Sequence, residues 1–404
     1  MAALLDGVRI VDMTSVLMGP YATQILADYG ADVIKVEAPA GDTTRQVPPM
    51  RNPGMGTIYL HLNRNKRSLV LDLKREGALD ALLKLLETAD VFVSNVRPRA
   101  LARLGLDNEV LSRINPRLVV ASLVGFGQDG PYAADPAYED LIQALTTVPS
   151  LLVAAGSEQP HYVPVAYNDR GVGQSAAIAI LAALLERERS GQGQQIEIPM
   201  FETMVQNVMG DHLGGLTFEP PLGPPGYQRT LNKERRPYPT QDGHVCVIIY
   251  TDKHWQRFGE MIGRPRLLEE DPRFRDLTSR TVHAAAVYAL IGETMPQRTT
   301  AQWLAAFREA DIPAAPLHTL DSIMDDPHLK ATGFFRRIEH PSEGAIHEMA
   351  IPSKWSRSQP SIRRHAPRLG EQSREVLREA GLAEAEIEAL IASGASLTPP
   401  PSQA

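Results

Sequence analysis

The sequence has almost no cysteine: Cys246 stands alone among 404 residues. A single thiol forms no disulfide within its chain and supports neither a Cys-rich zinc site nor an iron–sulfur cluster. A basic patch is missing too. Lys and Arg number 41 against 48 Asp and Glu, a net charge of -7, and no long cationic run occurs. That argues against partners held by phosphate neutralisation, nucleic acid first among them. The longest strongly apolar stretch, Ser175 to Leu185, falls well short of the ~20 residues that span a bilayer. The opening MAALLDGVRIVDM lacks the cationic start, apolar core and small-residue cleavage site of a secretory leader. These absences predict a cytoplasmic, soluble protein with no membrane and no nucleic-acid partner.

Catalytic signatures are equally scarce. There is no G-x-S-x-G elbow, no H-E-x-x-H and no Walker A sequence. The eleven histidines show no metal-ligand spacing, so no metal is expected.

What is present is a globular composition, 43% hydrophobic and 22% charged, in a chain long enough for two domains. Val8–Met13, Asp32–Val36, Arg67–Leu73, Val91–Val93, Leu118–Leu123 and Gln195–Ile198 read as buried strands. Pro20–Tyr29, Glu76–Ala89 and Ser175–Arg189 read as helices between them. Continuous Val/Ile/Leu runs alternating with helices predict a mostly parallel sheet covered on both faces, an α/β fold. Residues 219–229, EPPLGPPGYQR, are too rich in Pro and Gly for a helix or central strand and read as a linker or functional loop. Beyond it, one strand (His244–Tyr250) and three helices predict a smaller α+β domain. The tail SLTPPPSQA, residues 396–404, reads as disordered.

Gly125-Phe126-Gly127-Gln128-Asp129-Gly130 matches G-x-G-x-x-G after a strand. Pro131 and Asp135-Pro136 prevent a helix from opening directly behind it, so it presents no helix N-terminus to a pyrophosphate. It reads as a glycine turn beside a site. Asp169 stands just before the apolar helix. By position it is an N-cap, and a carboxylate there stays ionised. Gly171 and Gly173 follow at once and suit a close approach to the backbone. A nucleophile, with nearby N–H groups stabilising an oxyanion, is the other reading.

Several segments together resemble the class III CoA-transferase family, which includes formyl-CoA transferase, carnitine CoA-transferase and 2-methylacyl-CoA racemase. The carriers are LLDGVRIVDMTSVLMGPYATQILADYGADVIKVE, NRNKRSLVLDLK, DVFVSNVRPRALARLGLD, GFGQDGPYAADPAYEDLIQA and ERERSGQGQQIEIPMFE, with a weaker DIPAAPLHTLDSIMDDPHLKATGFF. The resemblance implies a large Rossmann-like domain (1–218 plus 328–395), a linker or active-site loop (219–235), a small α+β domain (236–327) and an interlocked homodimer. It implies exchange of coenzyme A between an acyl-CoA and a free carboxylic acid, with Asp169 as nucleophile and no permanently bound cofactor. Tyr138 and Glu139 match a pair beside the nucleophile. Leu17, Met18, Leu71, Asp72, Leu73, Lys74, Asn95, Val96, Arg97 and Arg103 match CoA-contacting positions, and Gly226, Tyr227 and Gln228 the active-site loop. Arg170 and Arg229 are candidates to hold a second carboxylate of the substrate acid.

Two departures narrow the substrate. Leu17 stands where formyl-CoA transferase has glutamine, and PPLGPPGYQR replaces its run of glycines. Tyr138 occupies the position where the racemase branch carries a histidine, which removes one acid/base partner for α-proton exchange; a racemase-like isomerase and, given the altered loop, a non-catalytic acyl-CoA-binding relative are the alternative readings.

Overall fold

In the computed structural model, which describes residues 3–399, the chain divides into two compact units. The first comprises Met1–Thr146, Val163–Asn207 and Leu329–Ala404; the second, Thr147–Tyr162 and Val208–His328. The sequence reading put the change of domain at 218–236; here the chain changes unit at 207–208, and residues 147–162 form an earlier excursion into the second unit.

The first unit is built on six strands, β1 (Arg9–Met13), β2 (Asp32–Glu37), β3 (Lys66–Val70), β4 (Val91–Ser94), β5 (Val119–Val124) and β6 (Gln195–Pro199). All pair in parallel, in the order β3-β2-β1-β4-β5-β6. The helices of this unit and its exit are α1 (Met18–Asp28), α2 (Thr57–Leu62), α3 (Ala78–Leu86), α4 (Pro98–Arg103), α5 (Asn108–Ile114), α6 (Glu139–Leu145), α7 (Val148–Ala154), α8 (Tyr167–Ser190) and α9 (Met200–His212). Alternate strand residues enter opposite cores, as a two-residue period requires. Ile10, Val33 and Val91 pack with Leu26 of α1 and Val172 and Ile180 of α8. Val11, Ile34 and Phe92 pack with Leu82 and Leu85 of α3 and with Val376, Leu377 and Ile387 near the C-terminus. The C-terminal segment is stitched to the β3 edge, where Gln372 accepts from Ser68 N–H at 2.9 Å and Ser373 Oγ from Val70 N–H at 3.1 Å.

α8 begins eight residues earlier than its sequence suggests, so both glycines lie inside the helix. Gly173 lets α1 approach: a Cβ there would lie 2.7 Å from the Met18 carbonyl oxygen and 3.1 Å from the Tyr21 ring. Gly173→Ala gains helix propensity worth up to about 1 kcal/mol, but forcing the helices apart costs about 1–3 kcal/mol. A net loss of up to about 2 kcal/mol is expected in denaturant unfolding; a stabilised variant would show that the contact yields freely.

Beneath the turn between β1 and α1 lies a buried charged network. Asp12 accepts from Thr23 Oγ1 at 2.6 Å and Lys66 Nζ at 3.1 Å, and Lys35 Nζ donates to Asp42 at 2.9 Å and to the Thr14 carbonyl at 2.8 Å. Both lysines and both partner carboxylates have fully buried side chains.

In the second unit β7 (Tyr238–Pro239), β8 (His244–Val247) and β9 (Ala314–Pro316) form an antiparallel sheet. Its core gathers Trp255, Phe258, Trp303 and Phe307. Residues 218–237 contain no helix or strand, in keeping with their Pro/Gly content. The tail is packed where it begins: Ser396 is buried and its N–H donates to the Leu390 carbonyl at 2.9 Å. That corrects the expectation of disorder from 396 onward; residues 400–404 lie outside the described ones. No helix among the described residues is long and apolar enough to cross a membrane.

Candidate active site

In a doubly wound sheet the crevice opens where the strand order reverses, beyond the carboxyl ends of the strands. Here that point lies between β1 and β4, and a cavity of about 250 Å3 sits there. Its walls come from Ser15 to Met18 after β1, Asn95 and Arg97 after β4, Gly125 and Gln128 after β5, and Tyr138, Glu139 and Asp169.

The β1–α1 turn is held from two sides. The Asn95 amide accepts from Ser15 N–H at 3.1 Å and donates to Ser15 C=O at 2.9 Å. The Asp42 carboxylate accepts from Val16 N–H at 3.2 Å. This fixes Val16 at φ 72°, a conformation rare for a β-branched residue and sustained only where the surroundings over-determine it. The glycine turn after β5 is gripped likewise: Glu202 accepts from Gly127 N–H at 2.9 Å and Glu197 from Gln128 N–H at 3.0 Å. No helix opens behind it, and it borders the cavity.

Asp169 is in the first turn of α8 but does not cap it. The N-cap is Ala166, which has no capping side chain. Glu139, at the start of α6, does the capping: its carboxylate accepts from Asp169 N–H at 2.9 Å and from Asn168 N–H at 3.3 Å. Two expectations are corrected. Those N–H groups are occupied, so they are not free to stabilise an oxyanion. Nor does Asp169 keep the low pKa of a helix-start carboxylate: burial, and next the charge of Glu139, push it up to about 7 against the pull of Arg170. Arg170 itself lies over the Tyr21 ring, 4.9 Å from its centroid.

Gln143, one turn along α6, donates to Glu139 at 2.9 Å. It also binds Val163 twice, accepting from its N–H at 2.8 Å and donating to its carbonyl at 3.2 Å. This clamp joins the chain on either side of the 147–162 excursion.

The structure therefore brings Leu17, Met18, Asn95, Arg97, Tyr138, Glu139 and Asp169 to one cavity. Tyr138 is exposed, and Arg97 is the one guanidinium in the wall. Leu71, Asp72, Leu73 and Lys74 follow β3, two strands from β1. Leu71 is buried in the core, Asp72 pairs with Arg75 at 3.3 Å, and Lys74 is exposed. Val96 packs against the same core and Arg103 ends α4 on the surface. Gly226 and Tyr227 belong to the second unit, where their N–H groups are received by His212, and Tyr227 and Arg229 line a cavity there; Gln228 is exposed. Sequence reasoning missed Gln143, Asp42 and Glu202, which act through contacts distant in sequence. No group of residues fit to hold a metal occurs among the described residues.

The sequence model of CoA-transferase family III matches residues 5–373. A succinyl-CoA:mesaconate CoA-transferase of Haloarcula marismortui is 34% identical, over 94% of this chain and 96% of the relative. A probable fatty acyl-CoA transferase of Mycobacterium tuberculosis is 33% identical, over 80% of this chain and 84% of its own. The crystal structure of a CAIB/BAIF family protein from Brucella suis superposes with a TM-score of 0.79 at 29% identity, covering 94% of this chain and all of that one. The chain belongs to CoA-transferase family III, a family of CoA-transferases.

Proposed function

We propose that this family III CoA-transferase moves coenzyme A between an acyl-CoA and a free carboxylic acid through covalent intermediates on Asp169. The observation that carries the reading is a carboxyl group on the wall of the switch-point cavity whose pKa has risen to about 7. Such perturbed groups concentrate at reacting centres, and a more basic carboxylate is a better nucleophile.

In the first step an Asp169 oxygen attacks the thioester carbonyl. The C–S bond breaks, CoA thiolate departs, and a mixed aspartyl–acyl anhydride remains. The thiolate attacks the aspartyl carbonyl and expels the donor acid as a carboxylate, leaving an aspartyl-CoA thioester. The acceptor carboxylate attacks that carbonyl, forms a second anhydride and releases the thiolate. Attack of the thiolate on the new acyl carbonyl yields product and returns Asp169 to its carboxylate. Each step exchanges one acyl bond for another, so the thioester energy is preserved and no net proton is consumed.

Arg97, exposed at the mouth, suits a phosphate of CoA, and Tyr138 and Glu139 flank the nucleophile. The matches of Leu71 to Lys74 and of Arg103 to nucleotide-contacting positions belong to the same reading. Intact-mass analysis tests it: succinyl-CoA plus hydroxylamine should convert the activated Asp169 carbonyl to a hydroxamate, about 15 Da heavier. Absence of any adduct across several acyl-CoA donors would remove the covalent route.

Protonated Asp169 cannot attack. The rate kcat/KM should therefore rise with pH, reaching half its maximum near pH 7 and flattening above about 8. Glu139→Gln keeps an acceptor for the α8 N–H groups but deletes the neighbouring charge, so the midpoint should move to lower pH. A profile between pH 5.5 and 8.5 with an unmoved midpoint would deny Glu139 that electrostatic role.

A homodimer belongs to the same proposal, with interlocking implied by the family resemblance. Its support is apolar surface: Ile178 and Leu185, seven residues apart on α8, are 67% and 58% exposed, and Leu141 and Leu145 on α6 are exposed as well. Sedimentation should give about twice the 44.3 kDa chain mass, and Ile178→Glu should lower it; a wild-type monomer would refute the dimer.

A further inference from the structure

The second unit holds a cavity of about 360 Å3, and binding there would need neither a thioester nor a nucleophile. Its charged lining is one-sided: four arginines, Arg229, Arg235, Arg236 and Arg280, and no aspartate or glutamate. Two of the four are already engaged. Arg236 pairs with Glu234 at 3.2 Å, and Arg280 pairs with Asp252 and donates to the Phe274 carbonyl at 2.7 Å. Arg229 and Arg235 have no carboxylate partner among the described residues. Arg229 is half-buried, and although burial works against its charge, the phenols of Tyr288 and Tyr227 hold its pKa up.

The rest of the wall joins hydrocarbon to hydroxyls. Ile249, Val287 and Ile291 are buried there beside Trp255, exposed Ile248 and Leu277 extend the apolar part, and Tyr227, Tyr238, Tyr250, Tyr288 and Thr281 bring the hydroxyls. A cavity that pairs an apolar wall with a few convergent polar groups is the form small-molecule sites take. The polar end selects the ligand. A guanidinium takes a carboxylate in a two-pronged bond, whereas a neutral alcohol would leave it unmatched. A phosphate dianion would gain nothing from the aliphatic wall. At about 30 Å3 for each water-sized group, the space suits roughly a dozen non-hydrogen atoms, the size of a short-chain acid.

We infer that the second unit carries a binding site of its own for an organic carboxylic acid with a short hydrocarbon body, its carboxylate on Arg229 and its chain against Ile249, Val287 and Ile291.

Calorimetric titration of hexanoate into the full chain carrying Asp169→Asn tests this without the first-unit nucleophile. Saturable binding at one site per chain is expected. Hexan-1-ol and inorganic phosphate should give none at the same concentrations, and Arg229→Gln should weaken hexanoate at least about tenfold. Ala284→Phe fills the cavity from a half-buried position while leaving the arginines in place, and should weaken binding comparably. It decides the matter if circular dichroism shows the arginine variant unfolded. No saturable binding, equal binding of phosphate, or hexanoate affinity unchanged by the substitution in a folded variant would overturn the assignment. The hydroxylamine trap reads only Asp169, so failure of this site and failure of the transfer mechanism are distinguishable.

Discussion

Asp169→Asn is expected to lower kcat for CoA exchange by at least about 10^3-fold and to abolish the hydroxylamine adduct. Acyl-CoA binding should survive, because Leu17, Met18, Asn95 and Arg97 still line the cavity. The variant should also be more stable than wild type, in a pH-dependent way. The pKa of Asp169 is about 7 in the folded chain against an ordinary 3.8, so folding favours the protonated form. That advantage is complete below about pH 4 and disappears as pH rises through 7, where wild type must hold an ionised carboxylate in a desolvated place. Asparagine carries no such cost. Its gain should be absent at pH 4 and reach about 1–2 kcal/mol at pH 8, cavity water screening a larger nominal value. Paired activity and denaturant-unfolding measurements check both halves. Full exchange activity in the variant would end Asp169's role as nucleophile, and equal stability at both pH values would contradict its elevated pKa.

The largest stability loss is expected from Asp12→Ala. Asp12 is wholly buried and held at about pKa 2; burial alone would raise it, and Lys66, Lys35, Thr14 and Thr23 outweigh that. Removing its carboxylate leaves Lys66 and Lys35 as buried cations short of a counter-charge, a defect worth about 3–5 kcal/mol. Because the folded pKa lies below the unfolded one, the contribution of Asp12 is present above about pH 4 and is lost as pH falls through 2. Urea unfolding at pH 7 would measure the loss. A Lys66→Met, Asp12→Leu double variant should lose less than Asp12→Ala, since an apolar pair leaves no orphaned charge from this bridge. A loss below about 1 kcal/mol in the single variant would mean that the lysines find other compensation. The same network carries Thr14 and, through Asp42, the N–H of Val16, so a weakened network should also raise KM for the acyl-CoA.

All six strands of the parallel sheet were legible in the sequence: β4 and β5 are Val/Phe- and Val/Leu-rich runs that a doubly covered sheet demands, whereas β6, Gln195–Pro199, shows itself by alternating Ile with polar residues at the sheet edge. The start of α8 was not. Gly171 and Gly173 read as weak helix formers, and only the position of Met18, 155 residues earlier, shows that Gly173 is a contact surface. Asp169 stood out by composition, yet its ionisation did not: a helix start lowers a carboxylate's pKa, and burial beside Glu139 wins over that. The capping of α8 by Glu139, 30 residues upstream, and the pinning of Val16 by Asp42 are long-range pairings with no periodicity to betray them. Likewise the excursion at 147–162 has no composition boundary, since α7 at its start reads like any short apolar helix.

The Gln143 clamp turns that excursion into a replaceable part. The chain leaves after Thr146 and returns at Val163, and the two sides are fastened by one side chain that also reaches Glu139, the cap of α8. Whatever is spliced between them hangs from a closed neck and should leave the aim of Asp169 unchanged. Lengthening, shortening or exchanging the segment should therefore alter what the second unit presents while the Asp169 carboxyl keeps its setting. A graft of a foreign segment between 147 and 162 should leave the pH midpoint of the exchange where it was.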